Sequence, residues 1–245
     1  MRESIDDDPL RRTLFSMIEA RYAATPRNLQ RALGPSEVGH PCMRKLAFGL
    51  TEVPRCNPDY DPLPSIIGTA SHTWMESAAQ HANEALGRVR WLTETRVHIT
   101  DDLSGTADLF DCDNGVVIDY KFPGKTRFDR YRRDPGPVFT AQVQLYGRGF
   151  ANAGHDVKQV AIALLPRGGS LSSLHLWKAD YDPAAAEAVL ARRDAVLAML
   201  GDFDTDANPD RFGWFPTTGY DCQYCPWWSP IPQGPLQCAG DSDAP

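Results

Sequence analysis

The sequence predicts an α/β (α+β) fold, a mixed sheet flanked by helices, with a cysteine-rich lobe built from both chain ends. Three observations predict it. Segments of helical periodicity alternate with short strand-like runs in the order helix, helix, three strands, helix, two strands, helix. The run VVIDYKF is strongly apolar yet carries charges, as a functional central strand would. Cys42 lies upstream of these elements, and Cys222, Cys225 and Cys238 lie downstream of them.

Each element has a local reason. Residues 8–24 place Leu10, Leu14, Met17, Ile18 and Tyr22 at helical spacing. A Pro-rich loop over 53–64 separates them from a helix running from about Ser65 to Leu86. Three strands are expected near 94–100, 105–111 and 116–122, with Asn114-Gly115 closing a two-residue type I′ hairpin. A helix over about 137–153 stops at Gly154, a C-cap residue. Strands near 157–165 and 171–178 precede a helix over 183–200, which Asp182 caps and Pro183 opens. The tail is loop-like and aromatic. The implied organisation is an N-terminal segment 1–64, a core 65–200 and a cysteine-rich segment 201–245.

Hydrophobic residues make up 42% and charged residues 23%, the balance of an ordinary soluble protein. No apolar run is long enough to span a bilayer, so no membrane association is expected. The acidic start MRESIDDDPL lacks the order of a signal peptide, so the expected location is cytoplasmic, in a bacterial or phage-infected cell. A net charge of -7 argues against a protein that coats nucleic acid, but not against a site whose carboxylates hold cations. Positive charge is concentrated in KFPGKTRFDRYRRD. Its position after the apolar strand suggests a phosphate-contacting loop, with Lys125, Arg127 and Arg130 as contacts. The alternative is a solvated loop.

With a two-residue turn at Asn114-Gly115, Asp113 faces Val116, Phe110 faces Asp119 and Asp108 faces Lys121. Asp108, Asp119 and Lys121 then share one face. Burying two carboxylates and an ammonium together is costly unless a divalent cation resolves the conflict. Oxygen ligands suit Mg²⁺ or Mn²⁺, which polarise a phosphodiester oxygen and acidify an attacking water. Lys121 would orient that water or offset transition-state charge. The alternative is a surface hairpin with an Asp–Lys cross-strand pair. Two helical pairs at i, i+4 accompany the hairpin. His72 and Glu76 can both serve a metal or be a solvated pair. Gln142 and Tyr146 carry little meaning alone.

Clustered cysteines in a chain without a secretory leader point to metal rather than disulfides. The tail has no His, so a fourth ligand must come from elsewhere. Cys42 is the first candidate and Cys56 the second, while Cys112 reads as a small packed side chain on a strand. The choice between an iron–sulfur centre and Zn²⁺ stays open. The aromatic residues Trp214, Phe215, Tyr224, Trp227 and Trp228 suit packing of the lobe or stacking on bases.

The segment GTADLFDCDNGVVIDYKF resembles the PD-(D/E)xK nuclease signature, with Asp108 at the first acidic position and Asp119-Tyr120-Lys121 as the (D/E)xK element. Ala107 stands where a proline is usual. G-T-x-x-H-x-x-x-E around His72 and Glu76, and Q-x-x-x-Y at Gln142 and Tyr146, resemble RecB-like members. One upstream and three downstream cysteines resemble the iron–sulfur branch, which includes the AddB nuclease domain and the Cas-four family of CRISPR-associated exonucleases. Ser36, Cys42 and Arg44 resemble its first-ligand segment. The gap from Cys225 to Cys238 is longer than is usual there. The resemblance spans about Ser36 to Cys238.

It implies a restriction-endonuclease-like core and a metal-dependent DNA exonuclease acting on single-stranded ends in recombination, repair or CRISPR-type processing. His72, Asp108 and Asp119, with Glu76 less firmly, would hold Mg²⁺ or Mn²⁺. Gln142 and Tyr146 would position phosphate or Lys121. Cys42, Cys222, Cys225 and Cys238 would hold a [4Fe–4S] cluster. The alternatives are an endonuclease of the same fold and a non-catalytic, metal-stapled DNA-binding subunit. A C-x-x-C redox protein is disfavoured, because the motif does not open a helix after a strand.

Overall fold

The computed structural model describes residues 8–24, 33–57 and 61–241. Residues 1–7, which carry most of the leader reading, fall outside it, as do 58–60 of the Pro-rich loop and 242–245 of the tail.

The chain folds as a five-stranded mixed sheet with helices on both faces. Its elements are α1 (Pro9–Ala23), α2 (Pro35–Val38), α3 (Met43–Leu50), α4 (Leu63–Leu86), β1 (Trp91–His98), β2 (Ser104–Asp111), β3 (Val116–Lys121), α5 (Lys125–Tyr131), α6 (Gly136–Asn152), β4 (Gln159–Leu164), β5 (His175–Asp180) and α7 (Pro183–Phe203). Spatial strand order follows chain order. Only β3 and β4 pair in parallel, and the helical crossover α5–α6 makes that possible. Among the described residues no helix is long and apolar enough to cross a membrane.

Caps set the helix ends. Asp182 accepts a hydrogen bond from Ala184 N at the start of α7, and Gly87 ends α4 in the left-handed conformation. The basic stretch after β3, expected as a loop, forms helix α5. The stripe of α1 is helical as its spacing predicts, but none of its residues is buried.

Two apolar layers enclose the sheet. Val117, Val160 and Ile162 pack with Phe110, Val143, Tyr146 and Phe150 on the α6 side. Leu109, Tyr120 and Ala163 pack with Met75 and Ala79 on the α4 side. A separate core joins the chain ends, where Leu46, Ala47 and Phe48 of α3 meet Val196, Phe212, Phe215, Trp227 and Cys238.

The hairpin register differs from the expectation. Asp111 pairs with Val116 and Phe110 with Val117, so a four-residue turn, not a two-residue one, joins β2 to β3. Only Gly115 adopts a positive φ (67°), and Asn114 does not. Asn114 donates its side-chain amide to Asp111 Oδ2 at 2.7 Å. This side-chain bond favours a wider turn over the type I′ geometry.

Candidate active site

β3 carries Asp119 and Lys121 two residues apart, so alternation points both toward α6. Asp119 is 1% exposed. Lys121 Nζ lies 2.6 Å from Asp119 Oδ2, so the buried carboxylate is ion-paired. Lys121 also donates to Gln142 Oε1 at 3.2 Å, and Gln142 Nε2 donates to Tyr146 OH at 3.2 Å. The helical pair predicted on α6 therefore holds the ammonium from behind. Phe139 caps it, with its ring centroid 4.8 Å from Nζ.

Asp108 departs from simple alternation. Ala107 and Phe110, three residues apart on β2, both belong to the α6-side layer, whereas Leu109 belongs to the α4 side. The strand thus changes face around Asp108. Its Oδ2 accepts a hydrogen bond from Tyr120 N at 2.6 Å, and its Oδ1 lies 3.2 Å from His72 Nδ1 on α4. The rings of Tyr120 and Phe122 meet His72 edge-on and fix its plane.

A third ligand type arrives from β1. Among the described residues, His72, Glu94 and Asp108 offer ligand atoms that all lie within 4.8 Å of one another. Glu94 has φ 43°, a left-handed conformation inside a strand. Such strain costs roughly 1–3 kcal/mol and collects at functional sites. Sequence periodicity carries no signal for this residue. The expected set of His72, Asp108 and Asp119 is thus only partly gathered, since Asp119 is not a member of that compact group. Glu76 also stands outside the group, accepting from Gln80 Nε2 at 3.1 Å on the exposed helix surface.

The charges respond to this crowding. Burial, with the Asp108 charge adding to it against the opposing pull of Lys121, raises the Asp119 carboxyl to about 6. Burial likewise raises Glu94, with help from Asp108. For His72 burial opposes protonation, but the Asp108 hydrogen bond and charge outweigh it and raise the value. The Glu94 and Asp108 carboxylates gathered with the His72 imidazole form a donor set suited to a hard divalent cation.

The cysteines form a second constellation. Cys42, Cys222, Cys225 and Cys238 line one cavity together with His40, Arg44 and Lys45. Cys56, the second candidate, is not among the lining residues. Its loop instead clamps the tail through backbone, with Cys56 N and Asn57 N donating to Pro226 O at 3.0 and 2.8 Å. Cys112 is exposed at the hairpin turn rather than packed on a strand, correcting that expectation. Arg44 Nη2 binds Gly213 O at 2.6 Å and Phe215 O at 3.2 Å, and Arg44 Nη1 approaches Cys238 Sγ at 3.6 Å. His40 Nδ1 accepts from Cys42 N at 3.2 Å, and burial lowers its value to about 3, so the ring stays neutral. Burial raises Cys225 to about 11, which disfavours a bare thiolate.

Of the residues expected to touch phosphate, Arg130 pairs with Asp221 at 3.2 Å, and the Arg127 guanidinium lies 4.4 Å from the Tyr224 ring centroid. Lys125 is exposed at the first turn of α5.

No protein-family model matches the chain, and no curated protein matches it. Solved structures do. An alkaline exonuclease from Laribacter hongkongensis aligns at TM-score 0.46 and 13% identity, over 70% of this chain and 89% of that one. Its complex with dAMP aligns at TM-score 0.46 and 14% identity, with the same coverage of 70% and 89%. A phage-related exonuclease from Haemophilus somnus 129PT aligns at TM-score 0.47 and 13% identity, over 68% and 82%. These likenesses are distant, and the functional reading rests on the side-chain geometry.

Proposed function

We propose that the protein is a metal-dependent DNA nuclease that hydrolyses phosphodiester bonds as an exonuclease. The observation that carries this reading is the convergence of His72, Glu94 and Asp108 beside a buried Asp119 and its neighbour Lys121. His72, Glu94 and Asp108 would hold Mg²⁺ or Mn²⁺, with Asp119 as the adjoining carboxylate. The cation would supply Lewis acidity at a phosphodiester oxygen and acidify the attacking water.

The chain's own groups supply the rest. The Lys121 ammonium would offset the charge that grows on the phosphoryl oxygens. Gln142 holds Lys121 in place, and Tyr146 holds Gln142. The Tyr120 N–H fixes one oxygen of Asp108 and leaves the other facing His72. In the second constellation, the four cysteines that line one cavity would hold a [4Fe–4S] cluster, with Zn²⁺ as the alternative. That cluster would tie α3 to the tail.

The test is cleavage of end-labelled DNA with Mn²⁺ or Mg²⁺, comparing the wild type with Asp119→Ala. Wild-type cleavage that releases nucleotides from free ends, is lost on blocked ends and is absent in the variant is the expected result. Equal activity in both proteins, or activity in neither, overturns the mechanism. Cleavage of closed circular DNA would favour the endonuclease reading.

A further inference from the structure

We propose that Arg127 and Tyr224 form a stacking platform for an unpaired base of single-stranded DNA. The inference rests on the nuclease reading above and names the substrate form that site receives. Tyr224 lies inside the Cys222–Cys225 turn and is 41% exposed. The Arg127 guanidinium stands 4.4 Å from its ring centroid, and Arg127 is itself exposed on α5. A planar cation resting on an aromatic ring presents a flat, charged surface on which any base can stack.

Position gives the platform its purpose. Lys121 ends β3, and α5 begins at Lys125. Four extended steps and two helical ones put Arg127 within about 17 Å of Lys121 along the backbone. That is a short path for a strand leaving the catalytic carboxylates. The platform is also held rigidly. Arg130, one turn further along α5, pairs with Asp221 at 3.2 Å and lies 5.5 Å from the Tyr220 ring. Asp221 directly precedes Cys222, so the cysteine turn and the helix beyond the catalytic strand are riveted together.

Charge favours a polyanion here. Lys125 and Arg127 project from the first turn of α5, Arg130 and Asp129 follow with Arg130 held by Asp221, and Arg167 lies beside Gly124 at the helix start, with Nη2 3.5 Å from where a Gly124 Cβ would stand. This local surplus contrasts with the net charge of -7. Backbone phosphates would meet these cations while a base meets the ring. A duplex keeps its bases stacked inside and would gain only the phosphate contacts.

The test is fluorescence anisotropy with a labelled oligothymidine and with a blunt duplex, in Ca²⁺, on the full chain. Tyr224→Ala should weaken oligothymidine binding about ten- to a hundred-fold, the range seen at base-stacking aromatics, and leave duplex binding unchanged. Tyr224→Trp should retain binding. Arg127→Met should weaken oligothymidine more than duplex without touching the cysteine turn. It therefore decides the matter if Tyr224→Ala loses its metal. No loss in Arg127→Met, or equal loss on both DNAs, overturns the platform. Asp119-dependent cleavage with normal Tyr224→Ala binding would sink the platform alone. Tyr224-dependent binding without any wild-type cleavage would sink the nuclease reading alone.

Discussion

Glu94 and Asp108 stand opposite one another across β1 and β2, at a position where the ladder skips a pair. Thr93 pairs with Leu109 and Thr95 with Ala107, but the residues between them do not pair. The left-handed Glu94 backbone breaks the ladder and brings its carboxylate to Asp108 and His72. Glycine tolerates that backbone and alanine does not. Glu94→Gly should therefore unfold at a higher temperature than Glu94→Ala. A difference of about 1 kcal/mol corresponds to roughly 2–4 °C in a chain of this size. Both variants should bind Mn²⁺ more weakly than wild type by calorimetry. Equal melting temperatures would remove the strain argument, and unchanged Mn²⁺ affinity would remove Glu94 from the site.

Asp111 gives a pH prediction away from the proposed metal ligands. It is 4% exposed, and burial opposes its charge. Hydrogen bonds from Arg90, Asn114 and the Asp113 N–H outweigh burial and hold its carboxyl below the ordinary value. A depressed carboxyl contributes stability above its unfolded value, and that contribution fades as pH falls through the folded value. Asp111→Asn should cost roughly 1–3 kcal/mol at neutral pH in urea titrations. The gap between variant and wild type should stay constant down to about pH 4 and narrow below it. A gap that widens with acid would contradict the assignment.

The cysteines should divide cleanly. Cys42→Ser and Cys222→Ser should lose metal and visible absorbance, and they should melt earlier, since the proposed centre would hold the lobe together. Cys56→Ser and Cys112→Ser should keep both properties. Iron and zinc assays on anaerobically purified protein provide the measurement. Full metal content in Cys42→Ser would return Cys56 to consideration.

Gly115 closes the hairpin turn with φ 67°, and a Cβ there would stand 2.2 Å from Asp156 O. That neighbour is backbone and cannot rotate away. Gly115→Ala should lose at least about 2 kcal/mol, from the left-handed penalty together with the displaced segment. Thermal unfolding within 1 °C of wild type, against the roughly 2–4 °C expected per kcal/mol, would show that the turn relaxes freely.

The geometry of the candidate site is legible in the sequence where its signals are local. The (D/E)xK spacing puts Asp119 and Lys121 on one face whatever strand lies alongside. Helical i, i+4 spacing brings Gln142 and Tyr146 to one side of α6, and Asp182-Pro183 marks where α7 begins. Phe110 faces Val117 instead of Asp119, a shift of two residues that leaves Asp119 and Lys121 on one face, whereas Asp108 departs from the face that alternation assigns it.

Tertiary structure decided the rest. The turn length depended on the Asn114–Asp111 bond and on room beside Asp156, neither of which periodicity records. Recruitment of Glu94 depended on a left-handed residue inside a strand, which local propensity disfavours and only surrounding packing sustains. Cys42 and not Cys56 faces the cavity because α3 and the tail share one apolar core that orients them. Spacing along the chain determines which side chains share a face. Which faces then meet depends on burial and hydrogen bonding between segments far apart in sequence.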